Sequence, residues 1–154
     1  MTAKPGRLAL ALSILTAAAC GVTEPSGPHG QEQSRLTEAR RLWRSQGLSD
    51  YSFVFSRSCF CVFEAREPVT ITVRSGNIAA VASVANGSPR EASTYQTVEG
   101  LFDQIQRAID QDAASIRAEY DRTRGHPTSV YIDLDQRIAD EEISFETTGL
   151  TPSR

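Results

Sequence analysis

The sequence predicts an α+β fold in which an antiparallel sheet carries two helices on one face. Two observations predict it. Two segments place apolar residues at three- and four-residue spacing, and each is followed by short runs in which apolar residues alternate. The links between those runs are too short for the crossovers that parallel strands need, so neighbouring strands pair antiparallel and the helices cover one face. The expected order is helix, three strands, helix, three strands, an architectural repeat without residue-level identity between its halves. At 154 residues the chain suits one domain with a core that needs no staples.

Each element has a local cause. Ser34 is expected to cap a helix running to about Gln46, with Leu36, Ala39, Leu42 and Trp43 on one face and Gly47 as the stop. Tyr51, Phe53, Phe55, Cys59, Cys61 and Phe63 then alternate along an extended run, and Arg57 interrupts that face, expected near an edge. Val69, Ile71 and Val73 alternate with Thr70 and Thr72 after Pro68. Ser75-Gly76-Asn77 is a tight turn into a third strand from Ile78 to Val84, and Ala85 to Ser93 is a polar loop. Thr97 is expected to cap the second helix, striped by Val98, Leu101, Phe102, Ile105 and Ile109. Ile116, Ala118 and Tyr120 make a strand, and a turn at Gly125-His126-Pro127 leads to Val130, Ile132 and Leu134. A polar turn from Asp135 to Glu141 precedes Ile143, Phe145 and Thr147.

The N-terminal segment has a different character. Lys4 and Arg7 precede an apolar run from Leu8 to Ala19 broken only by Ser13 and Thr16, too short to span a bilayer. Ala17, Ala18 and Ala19 stand before Cys20 and Gly21, the three-part pattern of a secretory signal ending in a bacterial lipobox. The expected organisation is a signal peptide over 1–19, a lipidated Cys20 with a flexible tether to residue 33, an α+β domain over 34–148, and a loose tail over 149–154. His29 is expected to be solvated within the tether. The protein is thus expected at the cell membrane or outer membrane, lipid-anchored and facing the periplasm or extracytoplasmic space, with the membrane and an envelope protein as its partners.

Charge excludes one class of partner. The chain carries 16 basic and 19 acidic residues, a net charge of −3. Loss of Lys4 and Arg7 with the signal leaves 14 basic residues, all arginine, against the same 19 acids, a charge of −5. A phosphate-binding footprint needs clustered basic charge, so no nucleic acid is expected.

The cysteines carry the most informative chemistry. Cys59 and Cys61 share one face of an extended segment, where their Cα atoms would lie about 6.6 Å apart, near the upper end of the disulfide range. Three readings stand: a structural or redox-active disulfide in an oxidising compartment, a pair of buried thiols, or a soft metal clamp completed by His126. An acidic turn offers a second candidate. Asp133 and Asp135 copy the first two ligand positions of a calcium loop, and Asp140 and Glu142 lie close by. Arg137 takes the third ligand position, however, and Ile138 stands where that loop needs glycine, which favours a solvated hairpin turn. There is no G-x-S-x-G and no glycine-rich phosphate loop, so no catalytic residue and no cofactor are expected.

Asp50-Tyr51-Ser52-Phe53, Cys59-Phe60-Cys61 and Val73-x-x-Gly76 resemble the bacterial secreted and lipid-anchored family known as domain of unknown function 6174. Tyr120-Asp121, Gly125-His126-Pro127, Ile132-Asp133 and Asp140-Glu141-Glu142 extend the resemblance from about Ser34 to Thr147. In that family an aromatic is common where His126 stands. The resemblance implies location and fold and leaves the activity open. The doubled layout is also similar to small periplasmic modules such as the beta-lactamase inhibitor protein and outer-membrane assembly lipoproteins. The expected function is a non-enzymatic binding or assembly module, with a metal- or redox-responsive protein using Cys59 and Cys61 as the alternative.

Overall fold

Helix α1 spans Gly30–Ser45 and presents Leu36, Ala39 and Trp43 to the core at helical spacing. The computed structural model describes residue 1 and residues 27–153, so the signal segment and Cys20 fall outside the described residues. Helix α1 begins four residues before Ser34. His29 occupies the N-cap position, and Ser34 instead returns its hydroxyl to the Gly30 carbonyl at 3.0 Å. His29 is likewise not solvated, since its Nε2 lies 2.7 Å from the Ala113 carbonyl oxygen.

Strands β1 (Tyr51–Ser58), β2 (Val69–Arg74) and β3 (Asn77–Ser83) form one antiparallel meander, with a short helix α2 (Phe63–Arg66) between the first two. After a 3-10 turn over Ala92–Thr94, helix α3 (Val98–Asp110) starts where expected, its first turn capped by the Thr97 hydroxyl accepting from Gly100 N–H. Strands β4 (Ser115–Tyr120), β5 (Pro127–Asp133) and β6 (Ile143–Pro152) complete the chain. The expected tail from 149 is partly strand, because β6 runs on beside β1 as far as Pro152.

All six strands join one antiparallel sheet in the order β3-β2-β1-β6-β5-β4. The β1–β6 pairing seals the two meanders together. It also puts Arg57 in the middle of the sheet, at a strand end rather than at the expected edge. Tyr51, Phe53, Phe55, Val69, Ile71, Val73, Val130 and Phe145 turn toward α1 and α3 and form the core with them. The intervening positions, among them Ser52, Thr70, Thr72, Ser129 and Thr148, face away from the helices, as the two-residue strand period requires.

Two glutamates pin the helices to strands. Glu99 accepts from Trp43 Nε1 at 2.8 Å and from the Tyr51 hydroxyl at 2.9 Å. Glu32 accepts from the Tyr120 hydroxyl at 2.8 Å and from Arg35 at 3.1 Å. Burial first, and then the neighbouring carboxylate, raises both phenol pKa values above their usual range, so both remain donors. Gly125 brings the β4–β5 turn against α1 with φ +84; a Cβ there would sit 2.3 Å from the Ala39 carbonyl oxygen.

Candidate functional site

The antiparallel sheet has two ends. At one end lie the α1–β1 link, the β2–β3 turn and the β4–β5 turn. At the other lie the loops leaving β1, β3, α3 and β5, together with the start of α1, tied there by the His29–Ala113 contact. Apart from Met1, the large apolar side chains exposed among the described residues are Phe60, Val62, Val84, Leu134, Ile138 and Ile143. All six lie at this second end, five of them on three separate loops and Ile143 at the start of β6.

Its centre is the turn after β1. The extended run expected through Phe63 stops at Ser58. Cys61 N–H then donates to the Cys59 carbonyl at 2.8 Å, closing a three-residue turn, and the two sulfurs are joined in a disulfide with the Cα atoms 5.3 Å apart. The turn shortens the strand spacing to a distance that a disulfide spans comfortably. It also pushes Phe60 to the apex, where it is 82% exposed, with Val62 at 69%. The buried-thiol and metal-clamp readings of Cys59 and Cys61 give way to the disulfide.

Cys59 borders two clefts. The one on the helix side, about 240 Å³, is lined by Phe55, Arg57, Tyr95, Gln96 and Phe145 as well as Cys59. Arg57 lies 4.7 Å from the Tyr95 ring centre and 5.2 Å from that of Phe55, and it donates to the Thr94 carbonyl at 2.8 Å. Its Nε and the Gln96 Oε1 are buried there without protein partners. The cleft on the opposite side, about 250 Å³, is lined by Phe60, Tyr131, Asp140 and Glu142 together with Ser58 and Cys59. The fold therefore brings the cysteine turn and part of the acidic turn together, a neighbourhood the sequence reading did not anticipate.

The remaining candidates are separated. His126 is buried near the far end of the sheet, its ring centre 6.1 Å from that of Trp43. It stands just before Pro127, whose carbonyl accepts from Thr147 beside Phe55, and Phe55 is four residues, about 13 Å, from Cys59 along β1. Burial lowers the His126 pKa below its usual value, against an opposing pull from Asp121. Asp133 is buried, with Oδ1 unpartnered. Asp135 grips Arg137 through two contacts of 2.8 and 2.6 Å, and the Arg137 hydrogen bonds hold its carboxyl below the usual range. Among the described residues no group of three or more His, Cys, Asp or Glu is placed to hold a metal ion, so neither the Cys59/Cys61/His126 set nor the Asp133/Asp135/Asp140/Glu142 set is assembled.

Sequence reasoning missed the apolar loop tips. Their signal was present: Phe60 lies on the opposite parity from its cysteine neighbours, and Ile138 interrupts an otherwise polar turn. What the end offers chemically is apolar contact, carboxylates and a half-buried disulfide.

One six-stranded antiparallel sheet, with α1 and α3 packed on a single face and a disulfide-closed turn after β1, defines a small α+β domain. The chain belongs to the family of unknown function DUF6174, which it matches over residues 35–152. No curated protein and no solved structure matches it.

Proposed function

We propose that the protein is a lipid-anchored module of the bacterial cell envelope, exported by the 1–19 signal, held through a lipidated Cys20, and acting by binding rather than by catalysis. One observation carries the reading: the exposed apolar side chains gather at the end of the sheet where α1 begins, which is the end nearest to Cys20 in sequence. No helix among the described residues is long and apolar enough to cross a membrane. A long helix followed by three strands in each half, with the short α2 inserted after β1 in the first, is what supports an architectural repeat and a likeness to beta-lactamase-inhibitor-protein-like modules and assembly lipoproteins. The sheet face turned away from the helices, rich in serine and threonine, is the surface offered to an envelope protein partner.

Metabolic labelling with a fatty acid tests the anchor. Label should enter the wild-type protein and vanish in Cys20→Ser; equal labelling of both would overturn the reading. Mild crosslinking in intact cells tests binding, and a specific crosslinked protein lost on substitution of Ser52 and Thr72 by arginine is the expected result.

A second reading is supported by the half-buried disulfide beside two clefts, namely a redox-responsive role for Cys59 and Cys61. Thiol counting across a series of glutathione buffers should then show a reversible two-thiol step within the range of the envelope; a disulfide intact throughout that range removes the redox role.

A further inference from the structure

We propose that the loop end bearing Phe60, Val62, Val84 and Ile138 is a bilayer-contacting surface, so that the domain stands with this end on the membrane and its sheet upright. The proposal rests on the lipid-anchor reading and deepens it.

Three observations point to a bilayer as the occupant. The first is position. The apolar tips sit on three loops spread across the end of a six-stranded sheet, about 24 Å wide at the usual strand spacing, and α1 begins at the same end. The second is reach. Seven residues separate Cys20 from Gly27, so the chain between them reaches at most about 25 Å. The opposite end of the sheet lies a further eight-residue strand away, about 26 Å, so it would touch the bilayer only with the tether fully drawn out. The third is the form of the surface. The tips stand out from the loops, Phe60 82% and Val62 69% exposed, so each can enter the headgroup region on its own.

Charge restricts the kind of bilayer. At this end Arg90 is paired with Glu67 and Arg137 with Asp135, which leaves Glu64, Glu91, Asp140, Glu141 and Glu142 against Arg57 and Arg66. The surface therefore suits zwitterionic lipid, and anionic lipid should weaken the contact at low salt.

The test uses the full processed protein, extracted in detergent and reconstituted into phosphatidylcholine–phosphatidylethanolamine vesicles with or without brominated acyl chains. Phe60→Trp and Ile138→Trp place a reporter on two different loops, and Gln46→Trp places one at the opposite end. Trp43, buried and common to all, is the background. The expected result is blue-shifted emission and bromolipid quenching at positions 60 and 138, with acrylamide quenching alone at 46. If the vesicles carry the protein while positions 60 and 138 remain open to acrylamide and untouched by bromolipid, the bilayer contact is overturned and the anchor stands. Shielding from both quenchers means that a second copy or another segment of the chain covers the end, which also overturns the contact. Failure of the protein to sediment with vesicles overturns the anchor reading, and the contact with it.

Discussion

Gly125→Ala probes the closest approach between the helices and the sheet's turns. Two costs add at this position. Its φ of +84 is strained for any residue with a Cβ, worth about 1–2 kcal/mol. The new methyl would also lie 2.3 Å from Ala39 O, 2.9 Å from Trp43 N and 3.0 Å from Leu42 Cβ. Two of these neighbours are backbone atoms of α1, which no side-chain rotation can move. The turn would have to retreat by roughly 1 Å, loosening the His126–Trp43 contact, and overpacking of this kind costs about 1–3 kcal/mol. The expected loss is about 2–5 kcal/mol, a large share of an ordinary domain's stability. Gly76→Ala is the control: its φ is +75, but nothing lies within 4 Å of its Cβ position, so only the backbone cost remains. Urea unfolding followed by the emission of Trp43, the only tryptophan, measures both variants. Gly125→Ala should fall below Gly76→Ala by at least about 1 kcal/mol. Equal losses for the two would refute the close approach to α1 as the reason for glycine at this turn.

The other expectations are briefer. Burial lowers the His126 pKa, so the unfolded chain takes up a proton near pH 6.5 before the native state does; stability should fall as pH drops through that value, and the fall should shrink in His126→Phe, measured by urea midpoints from pH 8 to 5. Glu99→Ala removes the acceptor for Trp43 and Tyr51 and should cost about 1–3 kcal/mol with a shift in tryptophan emission, whereas Glu99→Gln should cost less; an unchanged spectrum in the alanine variant would argue against the network. The Cys59→Ser/Cys61→Ser double variant opens only a three-residue loop, so its loss should be about 1–2 kcal/mol, and a collapse of folding would show that the disulfide does more than close the turn. Millimolar calcium should leave the melting temperature unchanged, because Asp135 is engaged with Arg137 and Asp133 is buried apart from it; a clear rise would contradict that placement.

Local patterns made most of the elements legible. The alternation of Val69, Ile71 and Val73 reports a strand facing a core, and the stripe from Val98 to Ile105 with Thr97 before it reports a capped helix, because both are set by nearest neighbours and by side-chain period. Boundaries were less legible. Ser34 has the chemistry of a cap, yet α1 starts at Gly30, because the His29–Ala113 contact and the Glu32–Tyr120 bond hold the first turn against residues more than eighty positions away. The run through Phe63 reads as strand, yet a disulfide-closed turn ends it at Ser58. Arg57 looked like an edge residue because strand order is not written in alternation; only the β1–β6 pairing makes β1 central.

The sequence by itself determined the α+β class, the segments that carry most of the strands and helices, the closeness of Cys59 and Cys61, and the family resemblance, because each rests on residues a few positions apart or on the order of short motifs. Only the tertiary structure decided that Cys59 and Phe60 share a cleft with Asp140 and Glu142, that His126 stands apart from them, and that six exposed apolar side chains from distant segments share one end of the sheet. Those placements follow from which strands pair and in what register, a global choice settled by burying the core as a whole and therefore invisible to any local period.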